Sequence, residues 1–303
     1  AIYNSSVSVF VQWTEKTKKK PLSKFKLGEF IHSVSSPFKI MTIIEETEEK
    51  QIINQNHDGN DKSIMVNELV VFDFDETIVD CNSDLFINAL APNQQIPKQF
   101  WQPDIHENDW TDYMQQVFIY LHHNGCTEKD YQKCLIKMPF VSGIKDLLFK
   151  LSKDCDRKRF ESIIISDANS FFIKHFLVNH NLLNSFKEIF TNPAHFDDSG
   201  CLRIKQFHRQ NWCQLSAKNL CKGHILKEYI AKRSKEQVHF DRISYVGDGS
   251  NDLCPALRLS ERDLVFARYN FPLHRKAEGH RELQAQLIPF VDGDDIWKVI
   301  CNN

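Results

Sequence analysis

The sequence lacks a charge excess, a long apolar run and a charged leader. Its 38 Lys and Arg against 40 Asp and Glu give a formal net charge of −2, which gives no reason to expect a nucleic acid or an anionic membrane as partner. No stretch approaches the roughly 20 apolar residues that cross a bilayer. The short apolar patch near the start follows no charged leader, so we find no secretory signal there.

The cysteines are odd in number and scattered. There are nine, spread from Cys81 to Cys301, and without a signal peptide this pattern predicts reduced thiols and a cytoplasmic location. The one local cluster contains His208, Cys213 and Cys221. Its spacing fits no standard zinc-ligand pattern, so we interpret these as ordinary packed thiols, with a zinc site as the alternative.

Residues 1–64 differ in texture from the rest of the chain. They combine a lysine run, a glutamate-rich stretch and a polar string, with little apolar periodicity, which predicts disorder and one short helix near residues 25–31. One hypothesis is that folding, and even native translation, begins at Met65. A targeting role for this segment is the competing interpretation, although the absence of arginine argues against a mitochondrial presequence.

The remainder shows short apolar runs that alternate with helical patterns. The runs rich in β-branched residues are "LVVF" (69–72), "SIIIS" (162–166) and "RISYV" (242–246), with further candidate strands at 188–191 and 264–267. Such alternation predicts an α/β fold, a Rossmann-like parallel sheet with helices on both faces. Residues 196–204 are predicted to form a hairpin that turns at Asp198-Ser199-Gly200.

A long helical stretch separates the first two strands. In "WTDYMQQVFIYLHHNG" the apolar residues recur at helical spacing and Gly125 ends the pattern, while Thr127 is a candidate N-cap for the next helix. The stretch is long for a crossover. We therefore predict a small helical cap domain inserted after strand 1, with an ordinary crossover as the alternative. The predicted boundaries are 86–155 for the cap, and 65–85 with 156–303 for the α/β core.

Three of the predicted strands end in acidic residues. Asp73 and Asp75 follow the first, Ser166-Asp167 follows the second, and Asp248 follows the third. In an open parallel sheet, ligands bind outside the carboxyl ends of the strands. If these strands are neighbours, the acids converge and repel one another unless a cation is present. Carboxylate oxygens without nearby His or Cys favour Mg²⁺ over zinc.

These residues also carry a resemblance to a known family. "DFDETIVD" resembles the first motif, DxDx[TV], of the haloacid dehalogenase-like phosphatases, and three further motifs follow in order: "ISDAN" with Ser166, "CKG" with Lys222, and "GDGSND" with Asp248 and Asp252. From residue 67 to about 275, the segments "DFDETIVDCNSD", "FTNPA", "KNLCKG" and "GDGSNDLCP" resemble the subgroup of phosphoethanolamine/phosphocholine and pyridoxal phosphate phosphatases. One departure is Ser216, where that subgroup usually has cysteine.

The resemblance implies an aspartyl-phosphate mechanism. Asp73 would attack phosphorus, and Asp75 would protonate the leaving alkoxide and then accept a proton from water. Mg²⁺ would be held by the Asp73 carboxylate, the Asp75 backbone carbonyl and the Asp248 carboxylate. Ser166 and nearby backbone amides would hold the phosphate oxygens, and Lys222 would supply positive charge to the transition state.

Three more residues would support this site. Asp252 would orient Lys222 or a metal-bound water. Gly247 and Gly249 flank Asp248, where glycine lets the backbone turn sharply and approach a ligand closely.

The substrate is less well defined by the sequence. In the resembling enzymes, acids that match Asp84 and Asp167 face a cationic head group, although Asp84 could equally cap a helix. Stacking on the ring of pyridoxal phosphate would instead need aromatic residues, for which the candidates are Phe86, Trp101, Trp110 and Tyr113.

The predicted function is therefore a Mg²⁺-dependent phosphomonoester hydrolase. Its partner would be a small-molecule phosphate ester, with pyridoxal 5′-phosphate or phosphoethanolamine/phosphocholine as the best candidates. The alternatives are a phosphoryl-accepting receiver-like signalling domain and an inorganic pyrophosphatase. A receiver needs a long-lived phosphoryl group, whereas an acid/base at Asp75 promotes turnover. The sequence predicts no oligomeric state.

Overall fold

The structure is a computed structural model that describes residues 66–100, 110–153 and 158–302. All of them belong to one compact unit, residues 63–303. The predictions made for residues 1–64, for Met65 and for Trp101 lie outside the described residues. Within the described ranges, no helix is long and apolar enough to cross a membrane.

The described strands form a six-stranded sheet and a separate hairpin. The strands are β1 (Val66–Phe72), β2 (Lys158–Asn169), β3 (Glu188–Asn192), β4 (Ala194–Phe196), β5 (Leu202–Ile204), β6 (Arg242–Gly247), β7 (Leu264–Arg268) and β8 (Gln286–Phe290). The sheet order is β3-β2-β1-β6-β7-β8 and every pairing in it is parallel. This confirms the predicted parallel α/β fold.

The hairpin and the last strand show what local sequence can and cannot indicate. β4 and β5 pair antiparallel as predicted, and in their turn the Asp197 carboxylate accepts hydrogen bonds from the backbone N–H groups of Ser199 and Cys201. β8 was not predicted. It contains Pro289, which removes a backbone donor and is tolerated because β8 lies at the sheet edge.

Helices connect the strands and cover both faces of the sheet. They are α1 (Ser83–Phe86), α2 (Trp110–His123), α3 (Glu128–Leu135), α4 (Ile144–Leu151), α5 (Ser170–Asn179), α6 (Lys222–Lys235), α7 (Leu253–Ala256), α8 (Pro272–Ala277) and α9 (Gly293–Asn302). Helices α1 to α4 lie between β1 and β2 in the sequence, where the helical stretch was expected. That they form a separate cap domain bounded by residues 86 and 155 stays a prediction.

Strand β1 is the buried centre of the sheet. Its alternate residues Val70 and Phe72 belong to the apolar core that includes α2 and α5, whereas Leu69 and Val71 belong to the core that includes α6 and α8. All four side chains are fully buried, and each contributes about 1.5–3 kcal/mol through the hydrophobic effect. The position of the backbone at the end of β1 is therefore fixed by packing on both faces of the sheet.

The register of the sheet brings three strand ends together. Phe72, the last residue of β1, pairs with Ile164 of β2 and with Val246 of β6. The backbone N–H of Asp73 donates to the Val246 carbonyl at 2.9 Å. The polar residues that follow these positions on all three strands consequently meet at one edge of the sheet, as the sequence predicted.

Candidate active site

Asp73 is held in a fixed orientation at the end of β1. Its side chain is nearly buried. Oδ1 accepts a hydrogen bond from the backbone N–H of Phe74 at 2.7 Å, and Oδ2 lies 2.5 Å from Nζ of Lys222. Contacts to both oxygens leave the carboxylate little rotational freedom, which suits a group that must meet a reacting atom in line.

Lys222 is the first residue of α6 and is fully buried. Besides Asp73, its Nζ contacts Oδ1 of Asp252 at 2.7 Å. Burial alone would lower the pKa of Lys222, but the charges of Asp252 and Asp73 raise it above its ordinary value. Lys222 is therefore a permanent ammonium group that joins the two aspartates.

Asp252 is the most heavily hydrogen-bonded acid of the group. It accepts from Lys222, from the hydroxyl of Tyr245 at 2.6 Å, and from the backbone N–H groups of Asp248 at 3.1 Å and Gly249 at 2.8 Å. It contacts Lys222 directly, which is the arrangement expected for a residue that orients the lysine. Tyr245 was not predicted as a site residue, because it lies inside strand β6.

The two glycines beside Asp248 serve this packing. A Cβ at Gly247 would lie 2.6 Å from the carboxyl carbon of Asp252, and a Cβ at Gly249 would lie 2.5 Å from Oδ1 of Asn251. Neither Gly247 nor Gly249 has a positive φ. The requirement at these positions is therefore space for Asp252 and Asn251, rather than the conformational freedom that the sequence suggested.

Asp248 completes a cluster of three buried carboxylates. Its Oδ1 accepts a hydrogen bond from Oγ1 of Thr77 at 3.2 Å, and one oxygen from each of Asp73, Asp248 and Asp252 lies within 4.8 Å of the others. Burial raises the pKa of Asp73 to about 7, with Lys222 opposing it, and burial together with the charge of Asp252 raises the pKa of Asp248 to about 8.

The cluster fits a hard divalent cation. Three carboxylates lie close together, and burial is the main cause of the raised pKa values of Asp73 and Asp248, to which the charge of Asp252 adds. All the donor atoms are oxygens, which Mg²⁺ prefers. A cation at this point would offset the repulsion among the three carboxylates.

The Asp75 side chain is hydrogen-bonded to Ser83 rather than to the three carboxylates. Its oxygens accept hydrogen bonds from the backbone N–H and the hydroxyl of Ser83, both at 3.1 Å. Burial, and next the charge of Asp84, raise the pKa of Asp75 well above its ordinary value. A carboxyl group whose pKa is raised holds its proton to a higher pH, which suits a general acid.

Ser166 and Asp167 lie on the neighbouring strand. Ser166 is fully buried and its Oγ accepts from the backbone N–H of Ala168 at 3.3 Å. Oδ2 of Asp167 accepts from Nδ2 of Asn251 at 2.9 Å. The charge of Asp167 raises the pKa values of both Asp73 and Asp84. Asp167 therefore acts electrostatically on the carboxylate cluster and on Asp84.

Asp84 forms a second acidic site, in which only one of the two carboxylate oxygens is hydrogen-bonded. Its Oδ2 accepts a hydrogen bond from Nε1 of Trp110 at 2.6 Å, whereas its buried Oδ1 has no hydrogen-bond partner among the described residues. Burial raises the pKa of Asp84 to about 7, although the Trp110 hydrogen bond lowers it. The N-cap interpretation of Asp84 was wrong, because the side chain of Asn82 caps α1.

All three described aromatic candidates belong to or contact the apolar core, and Tyr113 is buried in it. The rings of Trp110 and Tyr113 are 5.1 Å apart, next to Asp84. These two rings therefore adjoin an acidic side chain, which is the arrangement that suits a cation or an electron-poor ring.

The cysteine cluster gains a member that the sequence interpretation missed. Cys213, Cys221 and Cys254 have Sγ atoms within 4.8 Å of one another. Nε2 of His208 instead accepts a hydrogen bond from the backbone N–H of Cys221 at 2.8 Å. Cys254 lies far from the other two in the sequence, and its only signal was its place two residues after "GDGSND". Burial opposes ionisation of Cys213, but its hydrogen bonds with Ser216 and Cys254 lower its pKa to about 7.

Comparison with known proteins gives consistent matches. Residues 68–303 match the family described as Putative Phosphatase. The chain is 41% identical over 207 residues to a pyridoxal phosphate phosphatase of Mus musculus, covering 68% of this chain and 84% of that protein. It is 37% identical over 236 residues to a phosphoethanolamine/phosphocholine phosphatase of Homo sapiens, covering 75% and 86%. Among solved structures, a phosphoserine phosphatase in apo form is similar with a TM-score of 0.51 at 16% identity, covering 77% and 98%, which shows the fold alone.

Proposed function

Since this chain belongs to the Putative Phosphatase family and is a phosphatase, we propose that it hydrolyses a small phosphate monoester through an aspartyl phosphate on Asp73, with Mg²⁺ bound. The observation that carries this proposal is the buried constellation at the end of β1. There, Lys222 and the Phe74 amide hold the Asp73 carboxylate, with Asp248 and Asp252 beside it.

In the first step, an Asp73 oxygen attacks phosphorus and the bond to the leaving oxygen breaks. Asp75 donates its proton to that oxygen, a role that its raised pKa favours. Lys222 and the Ser166 hydroxyl stabilise the negative charge on the transferring phosphoryl oxygens. The products of this step are the alcohol and the aspartyl phosphate.

In the second step, water attacks phosphorus and the Asp73 carboxylate leaves. Asp75, now ionised, accepts a proton from that water and so returns to its starting state. Ser83 holds Asp75 through both of its carboxyl oxygens, so the same group can act in both steps without moving to a new partner. Inorganic phosphate is released.

Mg²⁺ would be held by the carboxylates of Asp73 and Asp248 and by the backbone carbonyl of Asp75. When bound, it offsets the negative charges of the nucleophile and the phosphate. Asp252 is already occupied by Lys222, Tyr245 and two backbone N–H groups. Its part is to hold Lys222 and the loop after β6 in place.

Removing divalent cations should abolish hydrolysis of an aryl phosphate, because three crowded carboxylates would then face a dianionic substrate with only the Lys222 ammonium as counter-charge. The measurement is the rate after treatment with EDTA and dialysis, followed by addition of Mg²⁺ alone or Zn²⁺ alone. We expect Mg²⁺ to restore the rate and Zn²⁺ to leave it low. Full activity after chelation would refute the metal requirement.

We propose that the leaving group carries a cationic or electron-poor part that faces Asp84. The unpaired, buried oxygen of Asp84, the Trp110 and Tyr113 rings and the charge of Asp167 support this. The named relatives include phosphatases for pyridoxal phosphate and for phosphoethanolamine and phosphocholine, and both kinds of substrate suit this arrangement. These substrates are therefore to be compared side by side, with inorganic pyrophosphate as the alternative.

Asp84→Asn should lower kcat/KM for phosphocholine by about 10- to 100-fold, because a charge pair at an effective dielectric constant of about 20 is worth a few kcal/mol. Since the pKa of Asp84 is raised to about 7, more of it is charged as pH rises. The wild-type preference for phosphocholine over an aryl phosphate should therefore increase from about pH 6 to about pH 8, and the variant should show no such increase.

The matched control is Asp112→Asn, an exposed aspartate on the same helix as Trp110. It should leave both rates unchanged. Equal losses for phosphocholine and the aryl phosphate in Asp84→Asn would contradict the substrate assignment without affecting the assignment of Asp73.

A further inference from the structure

Three thiols and one hydroxyl converge beside the carboxylate cluster. Sγ of Cys254 lies 3.4 Å from Sγ of Cys213 and 3.8 Å from Sγ of Cys221. Oγ of Ser216 lies 3.5 Å from Sγ of Cys213 and 3.4 Å from Sγ of Cys221. The four atoms come from a loop, from the start of α6 and from α7, so tertiary folding brings them together.

These distances are close to the edges of a tetrahedral zinc site. With Zn–S bonds of about 2.3 Å and a Zn–O bond of about 2.0 Å, the expected S···S edge is about 3.8 Å and the S···O edge about 3.5 Å. The Ser216 edges match the S···O value, and the edge between Cys221 and Cys254 matches the S···S value. The edge between Cys213 and Cys254, 3.4 Å, needs only a small separation of the two sulfurs, and all three sulfurs lie within 4.8 Å of one another.

The loop that carries Cys213 and Ser216 is held in this shape by Gln210. The Gln210 side chain is buried, and its Nε2 donates to the carbonyls of Cys213, Ser216 and Ala217 at 2.9, 3.0 and 2.9 Å. Its Oε1 accepts from the backbone N–H of Cys213 at 2.9 Å. A side chain that contacts four backbone groups of one loop restrains that loop, so its two candidate ligands are positioned in advance.

We propose that Cys213, Cys221 and Cys254 bind a structural Zn²⁺ as thiolates, with Ser216 at the fourth position. Each thiol releases its proton to solvent when the metal binds, so three thiolates meet one divalent cation. The Arg258 guanidinium is close enough to hydrogen-bond the Cys254 sulfur, and it would offset the remaining negative charge. Soft sulfur ligands separate this site from the oxygen cluster that suits Mg²⁺.

The zinc would connect two parts of the phosphate site without touching the substrate. Cys221 directly precedes Lys222, and Cys254 lies two residues after Asp252. A metal that joins Cys221 to Cys254 would therefore fix the start of α6 against α7 and hold the pair formed by Lys222 and Asp252. This role is independent of the reaction proposed for Asp73.

The test is the metal content of the full chain after expression in zinc-supplemented medium and gel filtration. We expect about one equivalent of zinc per chain, lost in Cys213→Ser and kept in Cys126→Ser, whose half-buried thiol contacts the Leu90 carbonyl instead. Ser216→Cys should supply a fourth thiolate, so this variant should release its zinc to a chelator more slowly than the wild type.

A spectroscopic measurement on the wild type decides the case if Cys213→Ser does not fold. Replacing the zinc with Co²⁺ should give the near-ultraviolet charge-transfer absorption of thiolate-bound cobalt. Absence of that absorption, or a zinc content unchanged by Cys213→Ser, would overturn the proposal. So would thiol titration showing a disulfide between Cys213 and Cys254 in the purified, metal-free protein.

Discussion

Asp73→Asn should lower kcat for an aryl phosphate by about 10⁴-fold or more, because the amide cannot attack phosphorus and no other described carboxylate takes its place. Asp248 and Asp252 lie close by, but Asp252 is fixed by four hydrogen bonds and Asp248 is held by Thr77. Neither is free to move into line with the leaving group.

The fold of this variant should be unchanged. Asparagine has the shape of aspartate, and Lys222 keeps its contact with Asp252. The measurements are steady-state kinetics and a thermal melt, with Asp198→Asn in the exposed turn of the hairpin as the matched control. Turnover within a factor of about ten of the wild type would refute Asp73 as the nucleophile.

Lys222→Met should reduce both activity and stability. The ammonium group stabilises the transferring phosphoryl oxygens, so kcat/KM should fall by about 10²- to 10³-fold. It is also the buried counter-charge of Asp73 and Asp252. Its loss should lower the free energy of unfolding by about 3–5 kcal/mol, because two buried carboxylates are left without their partner.

Mg²⁺ separates the two effects of Lys222→Met. Added Mg²⁺ should recover part of the lost stability by neutralising the carboxylates, while the catalytic loss remains. Lys227→Met is the control, since Lys227 is exposed on the same helix and should change stability by no more than about 0.5 kcal/mol. An unchanged unfolding transition in Lys222→Met would contradict the buried ion pairs.

The resemblance to haloacid dehalogenase-like phosphatases is confirmed by the family match, and much of the fold followed from local patterns. The apolar runs that became β1, β2 and β6 were evident because buried parallel strands need continuous apolar sequence. Their acidic ends predicted the meeting of Asp73 and Asp248, since parallel strands end at one edge of the sheet. Strand β8 was not predicted, because Pro289 interrupts its short apolar run.

Features that depend on tertiary contacts could not be predicted. From the sequence alone, Asp84 was a candidate helix cap. Only the packing of α2 shows that it accepts a hydrogen bond from Trp110. The cluster of Cys213, Cys221 and Cys254 depends on where α7 docks against α6. No sequence spacing reports that contact, because the partners lie on different elements.

The most direct test of the account is to trap the phosphoryl group on Asp73. Asp75→Asn with a nitrophenyl phosphate suits this purpose, because nitrophenolate leaves without a general acid whereas attack by water still needs the base. With Mg²⁺ present, we predict a rapid burst of about one nitrophenolate per chain, followed by slow turnover. After acid quenching, mass spectrometry should find phosphate on the peptide that contains Asp73. A linear time course with no covalent phosphate, or phosphate on any other residue, would contradict the account.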